Sequence, residues 1–117
     1  MYAIRRLVAL TILFAVSSSV LAAGTIDTSR LSLVDENHAE ISKNDEVYIL
    51  DSYIILFERP YYIHVRKLSD TPLTGDEASS IAVEYIEPRG CTTPVARRSD
   101  LDQVNTEETQ WLIGVEC

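Results

Sequence analysis

The chain has 117 residues, 46% hydrophobic and 24% charged, with 18 acidic against 10 basic side chains, a formal charge of −8, four Gly, four Pro and two Cys. One domain is the default at that length, and the balance of apolar and charged residues is that of a folded chain, which excludes low-complexity, collagen-like and multi-domain organisations. The sign of the charge disfavours nucleic acid and anionic membrane surfaces, where binding rests on Lys and Arg.

Residues 1–22 read as an export signal. A short basic region with Arg5 and Arg6 precedes an apolar stretch from Leu7 to Val16, broken only by Thr11, and a small-residue segment from Ser17 to Ala23 follows. This is the layout of a secretory signal peptide, and the small side chains at Val20 and Ala22 place cleavage after Ala22, with Ala23 as the neighbouring choice. An uncleaved anchor is the competing reading. An apolar core of about ten residues is, however, well short of the ~20 that a bilayer span needs. The expected location is therefore the periplasm or the cell exterior, with no stable membrane insertion after cleavage. Losing Arg5 and Arg6 leaves eight basic side chains against 18 acidic ones, a charge of −10.

Residues 23–45 are polar and poorly defined, with one apolar patch at Leu31-Ser32-Leu33-Val34 for which a short strand and a segment lying across the surface are the two readings. The run Asp35-Glu36-Asn37-His38-Ala39-Glu40 invites a divalent-metal reading, but a calcium loop needs a Gly at its sharp turn, and none occurs between Gly24 and Gly75. A solvated acidic loop is expected there, and no metal or cofactor.

Residues 46–117 form the expected α+β domain. Val47–Leu50, Tyr53–Phe57 and Tyr61–Val65 are rich in β-branched and aromatic residues and are punctuated by Asp51-Ser52 and Glu58-Arg59-Pro60, which predicts three strands. Tyr61, Ile63 and Val65 alternate with Tyr62, His64 and Arg66, the pattern of an antiparallel sheet covered on one side. Tyr53–Phe57 is apolar on both faces and reads as a central strand, with the Pro60 link as a hairpin turn.

A helix comes next. Thr74 and Glu77 have capping-box spacing, and Ala78, Ile81, Ala82, Tyr85 and Ile86 recur on one face. Pro88 and Gly90 are expected to stop it before Cys91. After a polar connection, with a short strand near Thr93–Ala96, the last strand Trp111–Cys117 places Trp111, Ile113, Val115 and Cys117 on one face. That parity carries Cys117 toward the helix end at Cys91. The two cysteines of an exported chain are expected to pair, closing a loop of 27 residues. The expected fold is an antiparallel sheet of three to five strands with one helix on one face, stapled by Cys91–Cys117.

The search for chemistry is mostly negative. The chain has no G-x-S-x-G elbow, H-E-x-x-H pair, phosphate loop or dinucleotide fingerprint. His64 lies on the wetter strand face, where a surface role outweighs that of a general base. Arg89, Arg97 and Arg98 flank the disulfide-closed region as a candidate contact for an anion or partner, against the simpler reading of arginines paired with nearby carboxylates. Tyr53, Tyr61, Tyr62 and His64 form a candidate interface on the sheet, against the simpler reading of half-buried sheet residues. The function expected is a non-enzymatic module that binds a protein or envelope component, and its charge favours a basic partner. The alternatives are an inhibitor or immunity protein against a cationic secreted enzyme, and a small hydrolase using His64.

Overall fold

The computed structural model describes residues 24–117, so the expected export signal lies outside the described residues. Six strands, one α-helix and one 3-10 turn follow in the order β1 (Ser32–Lys43), β2 (Glu46–Ile54), β3 (Tyr61–Lys67), α1 (Gly75–Gly90), β4 (Ala96–Arg97), the turn Ser99–Leu101, β5 (Gln103–Val104) and β6 (Gln110–Glu116). All strand pairs are antiparallel, in the order β1-β2-β3-β6-β4, and β5 lies beside β4 on the same edge of β6. The architecture is α+β, with six strands rather than three to five.

The helix forms where its signals placed it. Thr74 Oγ1 accepts from the Glu77 N–H at 3.1 Å while the Glu77 carboxylate reaches the Thr74 N–H at 3.4 Å, a reciprocal capping box. Ala78, Ile81, Ala82, Tyr85 and Ile86 are all buried, against Leu50, Ile63, Val65, Ile113 and Val115 of the sheet. The helix runs through Pro88 and ends at Gly90, just before Cys91 as expected. Proline in the last turn removes one donor without breaking the cylinder, and Arg89 Nη1 donates to the Tyr85 carbonyl at 2.8 Å with its guanidinium 4.7 Å above the Tyr85 ring. The chain passes very close to β3 there. A Cβ at Gly90 would stand 2.8 Å from the Tyr61 ring, and the Tyr61 hydroxyl donates to the Gly90 carbonyl at 3.1 Å.

The Cys91–Cys117 disulfide is present, with Cα atoms 5.6 Å apart, and parity along β6 puts Ile113 and Val115 in the core with it.

Three expectations are corrected. The polar segment 23–45 carries the longest strand, β1, joined to β2 by a two-residue turn in which Asn44 and Asp45 both have left-handed backbone (φ 54 and 65). Positive φ at both turn positions marks a type I′ hairpin, whose twist matches that of the flanking strands. Val47–Leu50 and Tyr53–Phe57 are not two strands: β2 passes straight through Asp51-Ser52 and ends at Ile54. Each of those polar side chains has a partner, as described below. The turn into β3 is built not on Pro60 but on Leu56 and Phe57, with the Glu58 N–H bonded to the Ile55 carbonyl at 3.0 Å.

The face away from α1 is also partly covered. Ile49, Tyr62 and Leu112 are buried there, and the backbone of Arg98 and the side chain of Leu101 press so close on Gly114 that a Cβ would stand 2.5 Å and 2.7 Å from them. Segment 24–31 is tied to β5, since Asp27 and Gln103 exchange backbone and amide hydrogen bonds at 2.8 and 3.2 Å. Among the described residues no helix is long and apolar enough to cross a membrane.

Candidate binding site

Strand register decides which candidate residues meet. On the face away from α1, Asp51 stands opposite His64, Tyr53 opposite Tyr62, and Ile49 opposite Arg66. Tyr61 lies on the other face with its hydroxyl on Gly90, so the expected tyrosine cluster is divided. Tyr62 is buried and Tyr53 half-buried, and burial, then the neighbouring Asp51 charge, pushes the Tyr53 hydroxyl above its ordinary value.

Both histidines of the chain reach this face. His38 Nδ1 is 2.7 Å from Asp51 Oδ1, and His64 Nε2 is 3.1 Å from Gln110 Oε1. His64 therefore sits across from a carboxylate already engaged by His38, and its own hydrogen bond among the described residues is to an amide. No group of three or more His, Cys, Asp or Glu side chains that would hold a metal occurs among the described residues.

His38 belongs to an irregularity in β1. The register with β2 shifts between Val34 and Ala39, so that residues 35–38 bulge out of the ladder. Three contacts anchor the bulge. His38 meets Asp51, Asn37 Nδ2 donates to the Oγ of the fully buried Ser52 at 2.9 Å, and the buried Tyr85 hydroxyl donates to the Asn37 carbonyl at 2.5 Å. Asp51 and Ser52, which read as strand breakers, are thus the sockets of this bulge.

The arginines are occupied. Arg97 makes a two-pronged pair with Asp102 at 2.6 and 3.2 Å and donates to the Gly114 carbonyl, while Asp102 accepts from the Gly114 N–H at 2.8 Å. Arg98 pairs with Asp100 at 2.9 and 3.1 Å and with Glu116 at 2.8 Å. Hydrogen bonds to Asp100 and then Glu116 raise Arg98 above its ordinary value, and the same Arg98 contact holds Asp100 below its own. Arg89 closes the end of α1. The guanidiniums of Arg97 and Arg98 carry structure, which leaves little of their hydrogen-bonding capacity for an incoming anion, whereas Arg89 is exposed and donates to the Tyr85 carbonyl through Nη1.

The residue that sequence reasoning misplaced is the conspicuous one. Phe57, expected in a central strand, is 104% exposed with φ 69, and Leu56 beside it is 63% exposed. Left-handed backbone at a bulky residue is rare, and the third position of such a turn normally carries Gly or Asn. Leu33, 46% exposed, faces Tyr53 at the same end of the sheet. Hydrophobicity alone cannot separate this apolar turn from a buried strand. The one available signal was the adjoining Glu58-Arg59-Pro60, which marked the chain's exit from the sheet.

Compared with known protein families, curated proteins and solved structures, the chain matches none.

Proposed function

We propose that the chain is a non-enzymatic binding module, acting in the periplasm or outside the cell, that docks on a protein partner through the apolar turn Ile55–Glu58. The observation that carries this reading is Phe57: a fully exposed aromatic ring on left-handed backbone, next to an exposed Leu56. Neither side chain stabilises the fold from that position. Burying the two in a partner's pocket is worth about 1.5–3 kcal/mol each, and aromatic anchors of this kind dominate interfaces. The charge of −10 after signal removal favours a basic partner and faster encounter with it. A cationic secreted enzyme would be such a partner, and the chain would then be its inhibitor or immunity protein.

The test is affinity capture from envelope and culture fractions with the oxidised chain, alongside Phe57→Gly and Leu56→Ser. Glycine suits the φ of 69 and keeps the turn, and Leu56 is exposed, so neither variant lowers the unfolding midpoint. A saturable partner retained by the parent and lost by both variants supports the reading. A partner captured equally well by all three refutes the turn as the docking element.

A further inference from the structure

The two long edges of the sheet are treated differently. On one side β4 and β5 together cover β6. On the other, among the described residues, no strand pairs with the outer edge of β1.

The hairpin geometry says which backbone groups that edge presents. With Asn44-Asp45 as a two-residue turn, Lys43 and Glu46 form the first hydrogen-bonded pair, and bonded and non-bonded pairs alternate from there. Ile41–Tyr48 and Ala39–Leu50 are bonded pairs, whereas Ser42–Val47 and Glu40–Ile49 are not. Val47 confirms the alternation, since its carbonyl points away from β1 and accepts from the Leu68 N–H at 2.8 Å. The N–H and C=O groups of Glu40 and Ser42 therefore point out of the sheet.

Side chains add selectivity. Ala39 and Ile41, half-buried on the helix side, are packed against the core and stop at this edge. Glu40 is exposed on the opposite face, and Asp35, Glu36 and Glu40 form no ion pair with any described residue. The one Lys of the strand, Lys43, is 2.9 Å from Glu84 of the helix. Like charges oppose the pairing of this edge with a second copy. A strand of opposite charge meets no such barrier.

We propose that residues 39–43 of β1 accept an extended basic segment of a partner protein as an added antiparallel strand. Apolar side chains of that segment continue the Ala39–Ile41 row, and Lys or Arg side chains lie beside Glu40. Main-chain hydrogen bonds to Glu40 and Ser42 hold it, the recognition mode of strand addition. This contact lies at the hairpin end of the sheet, away from the Ile55–Glu58 turn, and stands independently of it.

The test is a fluorescence-anisotropy titration of the full-length oxidised chain with a labelled peptide of alternating Lys and Val. Its partners are a Glu-Val peptide and a Lys-Val peptide N-methylated at alternate residues. Saturable binding of the Lys-Val peptide is expected, with amide shifts in NMR confined to residues 39–43. N-methylation of the edge-facing amides should weaken it at least about tenfold, the equivalent of one or two lost hydrogen bonds. Ser42→Pro removes an outward donor with no change in charge and should weaken binding similarly, because the β2 ladder does not use that N–H. Glu40→Lys should reverse the preference toward the Glu-Val peptide, and Phe57→Gly should change nothing. Equal binding of the methylated peptide, or no saturation, overturns the proposal, and the peptide arm decides even if Ser42→Pro fails to fold.

Discussion

Replacing Tyr48 by Phe should destabilise the protein at neutral pH and almost not at all in strong alkali. Tyr48 is only 3% exposed, and its hydroxyl donates to Glu77 Oε2 at 2.5 Å, an oxygen that Lys67 Nζ also approaches to 3.4 Å. Burial first, then the Glu77 hydrogen bond and charge, push the Tyr48 hydroxyl up to about 12 from its ordinary 10. An unfolded Tyr loses its proton near pH ~10, so between there and about 12 the unfolded chain binds fewer protons than the folded one, and stability falls as pH rises. The stabilisation is complete below pH ~10 and lost through pH ~12. Two units of difference correspond to about 2.7 kcal/mol, of which about 2 kcal/mol is gone by about pH 11.5. Below pH ~10 the variant loses a hydrogen bond to a charged acceptor, a penalty of about 1.5–3 kcal/mol. Tyr53 and Tyr85 titrate in both proteins and cancel in the difference. Urea unfolding followed by the single Trp111, whose Nε1 donates to the Leu73 carbonyl at 2.9 Å, measures both proteins at about pH 8 and about pH 11.5. A penalty of equal size at the two pH values refutes the reasoning. Glu77 adds an acid-side counterpart. Its burial favours the neutral form, but Tyr48, Lys67 and the Thr74 N–H outweigh that and hold it below the usual carboxylate range. Its contribution is present above the unfolded carboxyl value and lost as pH falls through the folded one, so Tyr48→Phe should move acid unfolding to higher pH.

Tyr85→Phe leaves the Asn37 carbonyl without its buried donor and should cost about 1–2 kcal/mol, with faster hydrogen exchange at residues 35–38. Replacing Cys91 and Cys117 by Ser opens a cross-link over a separation of 26 residues. The loss of about 3 kcal/mol should lower the thermal midpoint by about 12–24 °C. Asp45→Gly relieves left-handed backbone at a type I′ position and should raise stability by about 0.5–1 kcal/mol, seen as a higher urea midpoint at unchanged slope.

The helix, the two inner strands β3 and β6 and the disulfide were legible because each rests on a local pattern that the tertiary structure does not override. Thr74 and Glu77 cap in place, the five apolar helix positions face the sheet, and the parity of Trp111 to Cys117 carries the terminal cysteine to Cys91. β1 was not legible, because its rule is broken in the middle. The shift at residues 35–38 interrupts the period of two, and an edge strand exposed along much of its length lacks the apolar face that announces a strand. Its local signals were the apolar patch at Leu31–Val34, which falls at its start, and Asn44-Asp45, a weaker form of the Asn-Gly pair that marks such turns. Asp51 and Ser52 misled for a related reason: their partners His38 and Asn37 are distant in sequence and invisible before the hairpin closes.

A sequence that specifies one structure satisfies its local rules nearly everywhere, and places where it does not are either compensated or functional. The bulge at 35–38 is compensated by Asp51, Ser52 and Tyr85. Arg97 and Arg98 are compensated by Asp102, Asp100 and Glu116. The buried carboxylate-facing hydroxyl of Tyr48 is compensated by the cap of α1 that it helps to hold. Two departures have no such counterpart among the described residues: the Leu56-Phe57 turn, apolar and exposed on left-handed backbone, and the unpaired strand edge at residues 39–43, where Glu40 stands outside any ion pair. One lacks burial and the other lacks a strand partner, and the two proposed contacts, each tested on its own, would meet those two needs.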